Sequence, residues 1–210
     1  MSDGSSLAAQ YDVPVHFEAE GAWVDYDNTL IEETVGERVF LKNKTADYTI
    51  LLPRDDNGVE PIRYQKDGFT VQWRYPGAQA TAAKVREPLP EDGDLTTLEK
   101  LTSSATYPEL FPGVDAEYRI GSDGVKENLL LQSAEAPNEF FAAYQAEGLS
   151  AVSVDEKTVA LVDAAGGTRF ILYAPYMTDA AGEACCGERS GDGSMIDVGQ
   201  AKLIKEPSPD

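Results

Sequence analysis

Residues 62–73 read I-R-Y-Q-K-D-G-F-T-V-Q-W, two alternating runs on either side of Asp67-Gly68. Asp-Gly between alternating runs is the turn pair of a two-residue hairpin, where both central residues take positive φ. Lys66 then pairs with Phe69, Tyr64 with Val71 and Ile62 with Trp73. Ile62, Tyr64, Val71 and Trp73 share one face, and Arg63, Gln65, Thr70 and Gln72 the other. A slip of one residue would turn every apolar side chain to water, so turn chemistry and apolar pattern select the same register.

The same grammar recurs along the chain. In residues 107–127, Pro108, Pro112 and Gly113 predict a loop. Ala116, Tyr118 and Ile120 then alternate with Glu117 and Arg119, the period of a half-buried strand. Gly121-Ser122-Asp123-Gly124 turns the chain into a second strand carrying Val125, Glu127, Leu129 and Leu131 on one face. Upstream, Val13, Val15 and Phe17 oppose Asp12, His16 and Glu18, and residues 23–26 form a strand ending at the turn pair Asp27-Asn28. Residues 39–41 and 48–52 are strand candidates separated by a turn at Asn43-Lys44, and Asp55-Asp56-Asn57-Gly58 is another turn. Residues 158–162 and 168–173 form a hairpin across Ala165-Gly166-Gly167. Residues 140–147 fit either a helix capped by Asn138 or a strand with Phe140, Ala142 and Tyr144 on one face.

Residues 78–106 break this rhythm with the acidic, Pro/Gly-broken stretch 87–94 and a helical turn at 95–101. The expected organisation is a disordered lead-in at 1–10, a first β-rich half at 11–77 and a connection at 78–106. A second half at 107–183 and a flexible acidic tail at 184–210 follow. The fold class is all-β, an antiparallel β-sandwich-like arrangement of two halves able to share one core, with no internal repeat.

Charge narrows the partners. With 37 acidic against 17 basic residues and a net charge of −20, nucleic acid and anionic lipid are repelled. No apolar run is long enough for a membrane-spanning helix, and residues 1–10 lack the basic start and apolar core of a signal peptide. The chain is therefore expected to be cytosolic, or a piece of a longer protein whose export signal lies elsewhere. Cys185 and Cys186 are adjacent, an unfavourable geometry for bridging each other. With a single histidine, His16, a zinc site of ordinary spacing is not expected. Glu183 and Glu188 raise the thiol pKa of the cysteines, which leaves an intermolecular bridge as their one open role.

No catalytic, cofactor-binding or metal site is expected. His16 would carry any acid–base chemistry near neutral pH, but no nucleophile motif accompanies it. Residues 55–60 offer oxygen ligands without the spacing of a calcium loop. Glu127 points its carboxylate at the core, where an unpaired charge costs several kcal/mol. It therefore needs a partner such as Arg119 or Arg38, a place at the sheet margin, or a raised pKa with Asp115 beside it as the second member of a polar pair. Trp23, Trp73, Tyr64 and Tyr75 could form a glycan platform. Tyr64 and Trp73 fall on the apolar hairpin face, which leaves Trp23 and Tyr75 as the candidate aromatic surface.

Several short blocks in order resemble one family. They are Pro14-Val15, Gly21-Ala22-Trp23-Val24 and Asp27-Asn28-Thr29-Leu30 in the first half. The second half adds Tyr107, Phe111-Pro112-Gly113-Val114-Asp115, Tyr118, Gly124-Val125-Lys126-Glu127-Asn128, Gly148-Leu149 and Gly167. Ala174-Pro175-Tyr176-Met177, Asp179-Ala180 and Gly182 complete the set. Over residues 12–183 the chain resembles the non-repetitive N-terminal segment of large secreted bacterial RHS-repeat, wall-associated proteins, which often carry a DNRLRE domain and YD repeats. The resemblance implies a secreted or cell-wall-associated, mostly β, non-enzymatic structural module that supports assembly or presentation of downstream domains. Other domains of a longer parent chain, and cell-wall glycan, are the implied partners. The alternatives are a carbohydrate- or ligand-binding sandwich module and a glycoside-processing enzyme using Asp115 and Glu127. The sequence stops before any DNRLRE or YD-repeat segment, and residues from 184 onward fall outside the match.

Overall fold

The computed structural model describes residues 12–55, 58–86, 100–133, 135–137, 139–155 and 158–173. The described residues form fifteen strands and no helix, in four antiparallel sheets. β1 (His16–Ala19) and β2 (Ala22–Asp25) form a two-stranded hairpin. β3 (Asp27–Val35), β4 (Arg38–Thr45), β5 (Thr49–Pro53), β6 (Ile62–Lys66) and β7 (Phe69–Arg74) follow as a meander. β8 (Lys84–Arg86), β9 (Ser103–Phe111), β10 (Val114–Gly121) and β11 (Gly124–Leu131) make the second sheet. β12 (Ala143–Ala146) returns to pair with β7, completing a six-stranded sheet. β13 (Ser150–Ser153), β14 (Thr158–Val162) and β15 (Thr168–Tyr173) form the remaining, three-stranded sheet.

The six- and four-stranded sheets lay their apolar faces on one core. Leu41, Ile50, Leu52, Ile62 and Trp73 from the first meet Ala105, Tyr107, Ala116, Tyr118 and Ile120 from the second. The fold is thus all-β and sandwich-like, and both halves of the sequence contribute to a single core. Each fully buried aliphatic side chain stabilises this interface by roughly 1.5–3 kcal/mol.

The β6–β7 register is the expected one: Ile62 lies across from Trp73, Tyr64 from Val71 and Lys66 from Phe69. Asp67 and Gly68 both have positive φ, 52° and 80°, as a two-residue turn matching strand twist requires. The β10–β11 hairpin closes with Gly121 opposite Gly124, and residues 143–146 adopt the strand alternative. Phe140, Ala142 and Tyr144 all pack on the core.

Four expectations are corrected. Asp27-Asn28 opens β3 instead of making a turn, at a bulge between Asp27 and Leu30. Asn43-Lys44 lies within β4, and the chain turns at residues 46–48. The buried Asn43 side chain holds that turn, donating to the Tyr48 carbonyl (3.2 Å) and accepting from the Ile50 N–H (3.0 Å). Short side-chain amides that mimic a turn's backbone bonds are what makes asparagine read as a turn residue in sequence.

Pro108 sits inside β9, where a loop was expected. Residues 108–110 oppose the single residue Asp115, because Phe111 pairs with Val114 and Tyr107 with Ala116. A bulge is where a strand tolerates a residue without an N–H. The connection is also shorter than expected, since β8 lies within it and β9 begins at Ser103. Residues 1–10, 87–99 and 184–210 lie outside the described residues, and so do Asp56, Asn57, Asn138 and both cysteines.

Candidate functional site

Polar side chains cross the sandwich at four places. Tyr107 Oη donates to the Pro53 carbonyl (2.7 Å), and Tyr48 Oη to the Gly121 carbonyl (2.6 Å). Asn28, fully buried, donates through Nδ2 to the Leu101 carbonyl (2.7 Å), while Ser103 Oγ donates to the Asn28 carbonyl (2.5 Å). The fourth crossing is Glu127.

Glu127 stands directly opposite Tyr118 on the inward face of the β10–β11 hairpin. The residue is half-buried, with its carboxylate turned to the core. Trp73 Nε1 donates to Oε1 (3.2 Å) and Tyr75 Oη donates to Oε2 (2.7 Å), both from the facing sheet or its immediate end. Tyr144 stacks on Trp73 at 5.9 Å, and Tyr107 meets Tyr118 edge-on at 5.7 Å. The Tyr118 hydroxyl borders the same carboxylate without the geometry of a full hydrogen bond.

Burial in this aromatic surround raises the Glu127 pKa above the usual carboxylate value, and the adjacent Tyr118 hydroxyl, with donation from Tyr75 and Trp73, offsets part of that rise. The Tyr75 phenol is pushed far up, first by burial and then by the neighbouring negative charge. Neither expected arginine is the partner. Arg119 faces outward and pairs with Glu117 (3.0 Å), and Arg38 pairs with Glu60 (3.4 Å). Strand parity explains the first case, because Arg119 neighbours the inward Tyr118 and so points the other way.

Asp115 does not join Glu127. It lies on the outer face of β10, where its carboxylate accepts the Glu109 N–H (2.8 Å) and Gln132 Nε2 (3.1 Å) and so fastens the bulge around Pro108. The polar pair Asp115–Glu127 is therefore divided between two faces of one sheet.

The aromatic surface is corrected as well. Tyr75 is buried (6% exposed) and bonded to Glu127, whereas Trp23 is 76% exposed. The period-2 run Val71, Trp73, Tyr75 carried the signal for an inward Tyr75. Trp23 lies on the outer face of the β1–β2 hairpin directly across from Glu18. His16, on the same face, pairs with Asp25 through Nδ1 at 2.6 Å. Glu60 bridges Arg38 (3.4 Å) and Arg63 (3.7 Å) over the outer face of the six-stranded sheet. Among the described residues no group of three His, Cys, Asp or Glu side chains is arranged to hold a metal ion. Set against known proteins, the chain matches no family model, no curated protein and no solved structure.

Proposed function

We propose that this chain is a non-catalytic structural module of a secreted or cell-wall-associated RHS-like bacterial protein, supporting assembly or presentation of the domains that accompany it. The observation that carries the reading is the Glu127 clamp. This core-facing carboxylate is hydrogen-bonded to Trp73 and Tyr75 across the sandwich, and so serves cohesion between sheets. A sandwich whose two sheets share one core suits a spacer or platform. The order of short sequence blocks over residues 12–183 supplies the family side of the reading.

The test begins with the DNA flanking the reading frame and continues with in-frame deletion of this segment from the parent gene. Upstream export coding, downstream repeat coding and loss of surface display on deletion support the proposal. A free-standing frame, or glycan hydrolysis by the purified chain that disappears in Glu127→Gln, defeats it. The exposed Trp23 favours a second reading, a ligand-binding sandwich module, because a tryptophan held in water forgoes the burial that Trp73 obtains.

A further inference from the structure

We propose that the outer face of the β1–β2 hairpin is a docking surface for a basic peptide segment, with an arginine side chain stacked on Trp23 and paired with Glu18. The inference goes beyond the structural role proposed above and stands or falls separately from it.

The hairpin divides its residues cleanly. Phe17, Ala19 and Val24 are half-buried, and the Phe17 ring packs against Tyr26 at 5.0 Å. His16, Glu18, Trp23 and Asp25 all face outward. The turn between the strands has positive φ at both Glu20 (52°) and Gly21 (79°), so its shape matches the twist of the strands it joins. Trp23 is therefore held out by a short, well-defined scaffold, which Phe17 fastens to the core.

Chemistry then selects the occupant. An indole face attracts a cation through its quadrupole, and an arginine guanidinium can stack on it while bonding a carboxylate with its edge. Glu18 is the residue directly opposite Trp23, a position that brings β-carbons to about 5 Å. Asp25, two residues further along β2, lies on the same outer face, and Glu20 is exposed in the adjoining turn. The one basic group on this face, His16, already faces Asp25. Among the described residues no ion pair engages Glu18. A chain of net charge −20 draws cations everywhere, but only here does a described, exposed tryptophan accompany the carboxylates.

The test uses the whole chain labelled with nitrogen-15. Its two tryptophans give two indole N–H resonances, one from Trp23 and one from the buried Trp73. The probe is a short Arg-Gly repeat peptide, set against the same peptide with citrulline in place of arginine and against soluble cell-wall oligosaccharide. The expected result is a shift of the Trp23 resonance by the arginine peptide alone, with Trp73 unmoved. Trp23→Ala should weaken binding about tenfold and Glu18→Gln about threefold, the scale of a cation–π contact and an exposed ion pair. Unchanged affinity in Trp23→Ala would show a diffuse polyanion effect and overturn the proposal. A Trp23 response to oligosaccharide but not to the arginine peptide would overturn it in favour of a glycan platform.

Discussion

Glu127→Ala removes the acceptor of two hydrogen bonds that join the sheets, at 3.2 Å from Trp73 and 2.7 Å from Tyr75. Each orphaned buried donor costs about 1–3 kcal/mol. Release of a buried carboxylate from its desolvation penalty returns part of that sum. The net expectation is a loss of about 3 kcal/mol at neutral pH, a large share of the stability of a typical domain. Glu127→Gln keeps an acceptor and the shape, so its cost is on the order of 1 kcal/mol. The two variants separate in their pH dependence. The folded-state pKa of Glu127 is raised, so the folded protein binds this proton more tightly than the unfolded chain does. Its contribution is complete below the ordinary carboxylate pKa and is lost as pH rises through the raised folded value. Wild type should therefore lose stability relative to Glu127→Gln on going from about pH 4.5 upward, with the difference levelling off once the buried group is ionised. Urea unfolding followed by fluorescence and by circular dichroism across that window reads both effects. Parallel pH profiles for wild type and Glu127→Gln, or a Glu127→Ala cost below about 0.5 kcal/mol, would show that the carboxylate is not the clamp described above.

Asn43→Ala should cost about 2–4 kcal/mol in thermal or urea unfolding, since it strands the Tyr48 carbonyl and the Ile50 N–H beneath a buried turn. Asp115→Ala should cost less than about 1 kcal/mol, because the residue is surface-facing, yet speed hydrogen exchange at the Glu109 amide in the bulge. Asp163 responds to pH in the opposite sense to Glu127. The Gly167 N–H, then Arg169 and the Ala165 N–H, hold its carboxyl below the ordinary value, so its stabilising contribution is present above that value and lost as pH falls through the depressed one. Carboxyl titration by carbon-13 NMR should place Asp163 as an acid-shifted outlier, and Asp163→Asn should lower protection of the Ala165 and Gly167 amides.

Local elements were legible where turn chemistry and alternation agreed. Asp67-Gly68 specified both its loop and the pairing of Ile62 with Trp73, and the glycine-flanked turn after Ile120 did the same for β10 and β11. The inward direction of Glu127 was also readable from strand parity. Its partners were not, because Trp73 and Tyr75 lie 54 and 52 residues away and no local pattern specifies which sheet face closes over which. Asn28 and Asn43 misled for a related reason. The amide that completes a turn in one setting satisfies buried backbone in another, and only tertiary contacts decide between them. Pro108 likewise reads as a strand breaker until a bulge removes the need for its N–H.

The crossing at Asn28 has a kinetic consequence. Its side chain bonds Leu101, 73 residues further on, and its carbonyl accepts from Ser103, 75 residues on. The whole five-stranded meander from β3 to β7 is thus an excursion that leaves and returns to one point. Closing a circuit of that length carries an entropic cost that grows only logarithmically, but that cost must be met before the contact rewards it. Hairpins such as β6–β7 can assemble in microseconds on their own. Asn28 is then a late latch, engaging after the meander has formed, and its loss should quicken unfolding far more than it slows folding.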